Sequence, residues 1–351
     1  MTLGIIDVGT NSIHLLIGVL GLNGKFHVIL KERDLTRLGE GGLANGRLTA
    51  RARHRAMEVL ARYAAIMKRC GVDRVEAVAT SAVRDAANGA AFVRQVRRRL
   101  KLPLRIISGG EEARLIYLGV LQAHPFHRST LIITIGGGSA QVIHGDGAHL
   151  RYRASLPLGG ARLAQWFIRH DPPRPDEVLA LDQAVRRAWA PVARALRRHR
   201  WRQAVGSSAT ICQLMAAAHR LTHGSTPNGT ALSISQRTLR QLVRWLAAST
   251  AAERIRLPGL DPRREDLALP TGMALLAWME GCGVTTLRYA PGSLREGLVI
   301  DYLLKHHQRH HRWIEASLSE RFGANGSGEL PVVRRLPARR DAARIPRRSH
   351  R

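Results

Sequence analysis

Apolar residues along this chain fall in short runs broken by polar stops, and the first such break sets the pattern. In LGIIDVGTNSIHLLIGVL (Leu3–Leu20) one apolar run ends at Asp7 and another begins at Ile13. Two runs of strand length around a Gly/Thr/Asn/Ser tip predict a β-hairpin, with Gly9 permitting the tight turn. The same plan returns in LIITIGGGSAQVIHGDG (Leu131–Gly147): a strand to Ile135, then Gly136, Gly137, Gly138 and Ser139, then a strand through Val142 and Ile143. Between the two, Phe26 to Leu30, Val75 to Ala79 and Leu104 to Ile107 read as strands. The spacing of Ala52, Ala56, Val59, Leu60 and Tyr63 predicts a helix from an N-cap at Thr49 to about Lys68. A basic helix follows over Ala90–Lys101, with Arg94, Arg97, Arg98 and Arg99 on a solvated side. Another starts at Glu111 and Glu112, after the turn at Ser108. The second half predicts a long Arg-rich helix (Val178–Arg200), a strand from Trp201 to Val205 leading into GSSAT, and a helix over Gln236–Ser249. A buried helix through LALPTGMALLAWMEGCG, a strand at Val284–Tyr289 and a helix start at Glu296 complete it.

The polar tips carry the candidate chemistry. A carboxylate at a strand end, facing a Gly/Thr/Ser loop, suits a metal-bound phosphate: loop N–H groups take the oxygens and the Asp holds the cation. An ordinary hairpin turn explains Asp7–Ser12 equally well. The recurrence shifts the balance, because three successive glycines cost backbone entropy and pack no side chain. Two such loops imply two similar half-molecules clamping one phosphoryl group. In the helix after Ser108, carboxylates in the first turn are favoured by the helix dipole. That accounts for one Glu, and the other is a candidate general base for an attacking water.

Composition narrows the partner. At 351 residues the chain is long enough for two domains plus extras, and a hydrophobic content of 45% supplies two cores. The formal net charge of +29 points to a polyanion: nucleic acid, polyphosphate or a phosphorylated nucleotide. The positive charge is nearly all Arg, with Lys only at Lys25, Lys31, Lys68, Lys101 and Lys305. Arg is the better bidentate phosphate ligand, although a GC-rich genome produces the same bias. Cys70, Cys212 and Cys282 have no CxxC spacing and read as buried, reduced cytosolic thiols. With no apolar run of about 18 residues and no leader-like start, the expectation is a cytoplasmic protein without a membrane span. His306, His307, His310 and His311 are spaced one helical turn apart as metal ligands can be, but have no carboxylate nearby. The segment 305–351 is Arg- and Pro-rich with little apolar content, and is expected to be a disordered tail that binds polyanions non-specifically.

The order of three strands, a helix, a strand, then another helix and strand resembles the ribonuclease-H-like half of the actin superfamily. GIIDVGTNSIHLLI, VATSAVRDAAN, ISGGEEARLIYLGV, IITIGGGSAQVI, VGSSATI and PGSLREGLVIDYL occur in that order. Together they resemble the exopolyphosphatase and guanosine pentaphosphate phosphohydrolase family over about residues 3 to 303. The resemblance implies an α/β fold of two ribonuclease-H-like, actin-type domains, 1–123 and 124–304, with the active site in the cleft between them. It implies removal of a terminal phosphoryl group from polyphosphate or guanosine pentaphosphate by Mg²⁺ and water, and it leaves a homodimer open. Carried over by motif, Asp7 is the metal ligand, and Gly9, Thr10, Asn11 and Ser12 form the first phosphate loop. Arg84 falls on a phosphate-binding arginine and Glu112 on the catalytic base. Gly136, Gly137, Gly138 and Ser139 form the second loop, and Gly206, Ser207 and Ser208 a third Gly/Ser turn. Two positions depart from the family: Thr134 and Gln141 stand where it carries acids that are thought to hold the metal or its water. The expected consequence is a weak Mg²⁺ site centred on Asp7, and the alternative is a polyphosphate-binding regulator with weakened catalysis.

Overall fold

The computed structural model describes residues 1–20, 26–147, 149–224 and 232–306. The Arg-rich tail and His307, His310 and His311 lie outside the described residues. The chain begins with β1 (Thr2–Val8), β2 (Ile13–Leu20), β3 (Phe26–Asp34), α1 (Ala50–Arg69), β4 (Arg74–Ala79), α2 (Ser81–Arg84), α3 (Gly89–Leu100), β5 (Leu104–Ile106) and α4 (Gly109–Ala123). It continues with β6 (Thr130–Ile135), β7 (Ala140–Gly145), β8 (Leu150–Leu156), α5 (Gly160–Phe167), α6 (Pro175–Leu196), β9 (Gln203–Gly206) and α7 (Ala209–His223). Next come β10 (Ser233–Ser235), α8 (Gln236–Ala248), α9 (Ala251–Arg256), a 3₁₀ turn at Pro262–Arg264, α10 (Glu265–Cys282), β11 (Thr286–Tyr289) and α11 (Leu294–Lys305).

The strands form two sheets of one plan. The first runs β3-β2-β1-β4-β5 and the second β10-β11-β9-β6-β7-β8. In each, an antiparallel three-strand meander (β1–β3, β6–β8) is extended by parallel strands on the far side of its first member. The expected internal repeat is therefore present, with β10 as an addition to the second half. Strands β8 and β10 carry too little apolar signal to stand out in the sequence; β8 alternates exposed Arg151 and Arg153 with half-buried neighbours.

Period-two alternation decides how the layers stack. On β1, Leu3 and Ile5 face one core, while Ile6 and Val8 face another with Leu60 of α1 and Phe92 of α3. On β6, Ile132 joins the core of Leu3 and Ile5, while Leu131 and Ile133 turn to Trp189 of α6 and Trp278 of α10. Helices α4 and α11 fill the space between the sheets, contributing Leu115, Val120, Leu298 and Val299 to the shared core. The result is five layers: helices, sheet, the α4–α11 pair, sheet, helices.

Local signals account for the helix ends. Thr49 Oγ1 accepts from the Ala52 N–H (3.2 Å) and starts α1 as its N-cap. Ser108 does the same for α4, accepting from Glu111 N (3.1 Å). Helix α10 is buried along Leu267–Met279, as its unbroken apolar run predicts, and Trp189 Nε1 donates across to Ala274 O (2.9 Å). The three cysteines are free and half-buried rather than fully buried; Cys70 and Cys282 pack at the edges of cores.

Candidate active site

Both hairpin tips close with the same bond. Gly9 N donates to Ser12 O (3.0 Å), and Gly136 N to Ser139 O (2.9 Å). The tips face each other. A Cβ on Gly137 would stand 3.1 Å from Asn11 Cβ, and one on Gly138 only 2.3 Å from Thr10 Oγ1 and 2.6 Å from Ser81 Oγ. The glycines of the second loop thus permit contact with the first loop as well as approach to a ligand. Buried Arg162 of α5 locks this junction from below. Its Nε donates to Gly138 O (2.8 Å), and its Nη2 to Ser81 Oγ (3.0 Å) and to Asp85.

A cleft of about 210 Å³ opens between the loops, lined by Asp7, Gly9 to Ser12, Glu112, Gly136 to Ser139, Ser207 and Ser208. These predicted residues come from β1, α4, β6 and the turn after β9, and the fold brings them together. Gly206 sits just below, where a Cβ would lie 2.8 Å from Ile211 and 2.9 Å from Leu287, so its contribution is close packing. Arg84 stands behind Glu112 rather than on the wall of the cleft: its Nη1 donates to Glu112 Oε2 (2.8 Å) and to Ile107 O (3.2 Å).

The two glutamates of the α4 start have separate fates. Glu111 turns outward and accepts from Arg105 Nη1 (2.8 Å). Glu112 is 7% exposed and points into the cleft. Burial pushes its carboxyl upward, and Arg84 together with a hydrogen bond from Ser139 pulls it back. The net shift is upward, which makes the carboxylate a stronger proton acceptor, the direction a general base needs.

Asp7 has no such partner among the described residues. Burial raises its carboxyl to about 7; Arg295 opposes the shift, and Glu112 and Glu296 add to it. No group of three or more His, Cys, Asp or Glu converges as a metal cage among the described residues. Thr134 and Gln141 face each other across β6 and β7 on the cleft wall. Gln141 Nε2 donates to Ser139 Oγ (2.8 Å) and Ser155 Oγ (3.1 Å), so this amide supports the loop serine. Asp7, with no ion-pair partner among the described residues, fits a Mg²⁺ ion held together with substrate oxygens.

Three basic or polar groups of the cleft escaped the sequence reading. Arg264, 8% exposed, donates from Nη2 to Ser12 Oγ (2.6 Å), and its Nε has no partner among the described residues. Burial and the nearby Arg33 lower its guanidinium to about 10. Arg295 Nη1 donates to His14 Nδ1 (2.9 Å). His14 can accept because burial, Arg295, Arg33 and Arg264 drive it down to about 3 and keep it neutral. Buried Arg264 with an unspent N–H and half-buried Arg295, beside a neutral His, suit an anion in the cleft.

Two half-molecules of one plan, gripping an anion cleft with facing glycine loops and a poised glutamate, define an actin-like phosphoryl-transfer protein. The chain belongs to the Ppx/GppA phosphatase family, whose model matches residues 21–306. It is similar to an exopolyphosphatase from Cytophaga hutchinsonii, at 29% identity over 86% of this chain and 98% of that one, with a TM-score of 0.79. It is also similar to the Ppx/GppA family member from Aquifex aeolicus, at 26% identity over 87% of this chain and 98% of that one, with a TM-score of 0.71. These structures share the two-domain actin-like architecture.

Proposed function

We propose that this protein hydrolyses the terminal phosphoanhydride bond of inorganic polyphosphate, with guanosine pentaphosphate as the alternative substrate of the same chemistry. The observation that carries the reading is Glu112, buried, paired to Arg84 and aimed between two glycine loops. The family and the Cytophaga exopolyphosphatase support it.

The loop N–H groups and the hydroxyls of Thr10, Ser12 and Ser139 hold the terminal phosphoryl group. Arg264 and Arg295 compensate charge on the phosphates that follow. Glu112 takes a proton from a water placed between the loops. That oxygen bonds to phosphorus, the anhydride P–O bond breaks, and the products are orthophosphate and a chain shorter by one phosphate. Asp7 would hold a Mg²⁺ ion, which when bound would supply charge neutralisation at the phosphoryl oxygens. The protein's share is positioning and preorganised electrostatics.

A second reading is a polyphosphate-binding regulator with weakened catalysis, favoured by Thr134 and Gln141 in place of carboxylates. Phosphate release from long-chain polyphosphate, followed across a Mg²⁺ titration beside direct binding, separates the two. Release that grows with Mg²⁺ supports the hydrolase; tight binding with no release at any Mg²⁺ concentration supports the regulator.

A further inference from the structure

The first phosphate loop has a cavity on its other side. About 200 Å³ of space lies between Arg37, Gly39 and Glu40 and the α5 residues Ala161, Ala164 and Gln165. Thr10 and Asn11 line this cavity and the cleft alike, so the partition is a single stretch of loop. Its backbone is pinned: Arg37 N donates to Asn11 O (2.9 Å) and Gly39 N to Thr10 O (2.9 Å). Its side chain is not. Asn11 is 8% exposed, and its buried Nδ2 has no hydrogen-bond partner among the described residues. A buried amide donor is costly to leave unsatisfied, and this one sits between two cavities with its backbone already fixed.

We propose that this second cavity is the exit for orthophosphate and that the Asn11 side chain is its gate. The inference rests on the hydrolase reading above. On that reading the terminal phosphoryl group is held by the loops themselves, so orthophosphate forms against the partition while the shortened chain still occupies the cleft. A polymer hydrolase that keeps its chain must release phosphate by another path. The free Asn11 amide donates to an anion on either side as the side chain turns.

The charges around the cavity suit passage rather than capture. Arg37 Nη1 donates to Asp266 (2.8 Å), and its Nη2 to Arg263 O (2.8 Å). Glu40 accepts from Arg55 (2.7 Å). The two arginines and two carboxylates at the outlet pair off, which leaves no net positive charge there to retain an anion.

The test is to narrow the exit without touching the loops. Ala164→Leu fills the cavity from α5, Ala161→Val narrows it from one turn earlier, and Ala164→Ser is the control. Rapid quench gives the cleavage rate of the first turnover on long-chain polyphosphate, and a phosphate sensor gives the rate of release. The expected result is first-turnover cleavage at the wild-type rate in both plugged variants, seen as a burst, followed by release slowed about tenfold, with the Ser control unchanged. Wild-type steady-state release in either folded plug, or equal slowing of cleavage and release, overturns the exit. A wild-type protein that releases no phosphate at all overturns the hydrolase reading and the exit with it.

Discussion

On the hydrolase reading, Glu112 is where a single atom decides the rate. Replacing it with Gln keeps its size and its contact with Arg84 but removes the proton acceptor, so hydrolysis should fall about 10²–10⁴-fold. Binding of labelled polyphosphate should stay near wild type; a wild-type turnover number in that variant removes Glu112 from the mechanism. Arg84 holds the Glu112 carboxyl down against burial. Arg84→Met should therefore raise that pKa and move the acidic limb of the pH–rate profile to higher pH, since the base works only when ionised. A change in KM with an unmoved limb makes Arg84 a substrate contact instead. Asp7 gives a linkage prediction. Its carboxyl stands at about 7 in the fold against an ordinary 3.8. The folded state thus binds the proton more tightly than the unfolded one, and keeping Asp7 buried becomes costly as pH climbs from about 4 through 7. Asp7→Asn should melt a few degrees higher than wild type at pH 8, with little difference at pH 4, while losing its Mg²⁺ response. A thermal scan at the two pH values checks it. At this scale the two loops stood out in the chain because one hairpin plan with a glycine tip recurs, whereas the choice of Glu112 over Glu111 came from the family resemblance. Arg264 could not. It is one arginine in a sequence with 55 basic residues, and only burial against Ser12 sets it apart.

Among the elements, β6 and β7 carry Thr134 and Gln141, the two positions where the family resemblance leads one to expect acids. Thr134 and Gln141 are register partners, so Thr134→Asp and Gln141→Glu would set two carboxylates across one strand pair. The double variant should lower the Mg²⁺ needed for half-maximal rate, with non-additive single effects because both act on one ion. With Mg²⁺ chelated it should be worse than wild type, since the new charges then repel the substrate. An unchanged Mg²⁺ dependence places the metal elsewhere. The α4–α11 pair is the other element that matters, because α4 carries Glu112. The two helices touch at glycines: a Cβ on Gly297 would lie 1.8 Å from Leu115 O, and one on Gly119 2.0 Å from Ser293 O. Gly297→Ala should force them apart at a cost of about 1–3 kcal/mol and slow hydrolysis by displacing Glu112, measurable by denaturant melts beside kinetics. Strands and helices with strong periodicity were legible, α1 to within a residue or two. β8 was not, because arginine dilutes its alternation, nor was β10, which is only three residues long, and Gly119 of α4 and Gly297 of α11 gave no hint that each faces another helix.

The whole molecule is one plan used twice, and the recurrence of the two hairpins was enough to anticipate it. The stacking of the halves was not legible, because nothing local distinguishes the two faces of β1, both apolar. The Arg-rich end of the chain yields a prediction at this scale. Deleting Pro331–Arg351 should leave hydrolysis of short chains intact and flatten the salt dependence of polyphosphate binding, by about 0.7 in the log–log slope for each phosphate that the segment neutralises. An unchanged slope makes the segment a bystander.

Helix α11 closes the core begun by β1 and α4, although its residues come some 180 positions later in the chain than those of α4. For the ribosome this means that the first half emerges with Leu115, Ile116 and Val120 not yet covered by α11 and must wait for that helix to be made. A polypeptide halted before Leu294 should bind hydrophobic dyes and be cut readily by proteases within α4, and a separately supplied α11 peptide should reverse both. Glu112 therefore cannot be seated before α11 has been made. Interrupted synthesis should yield chains with no phosphatase activity rather than half-active ones.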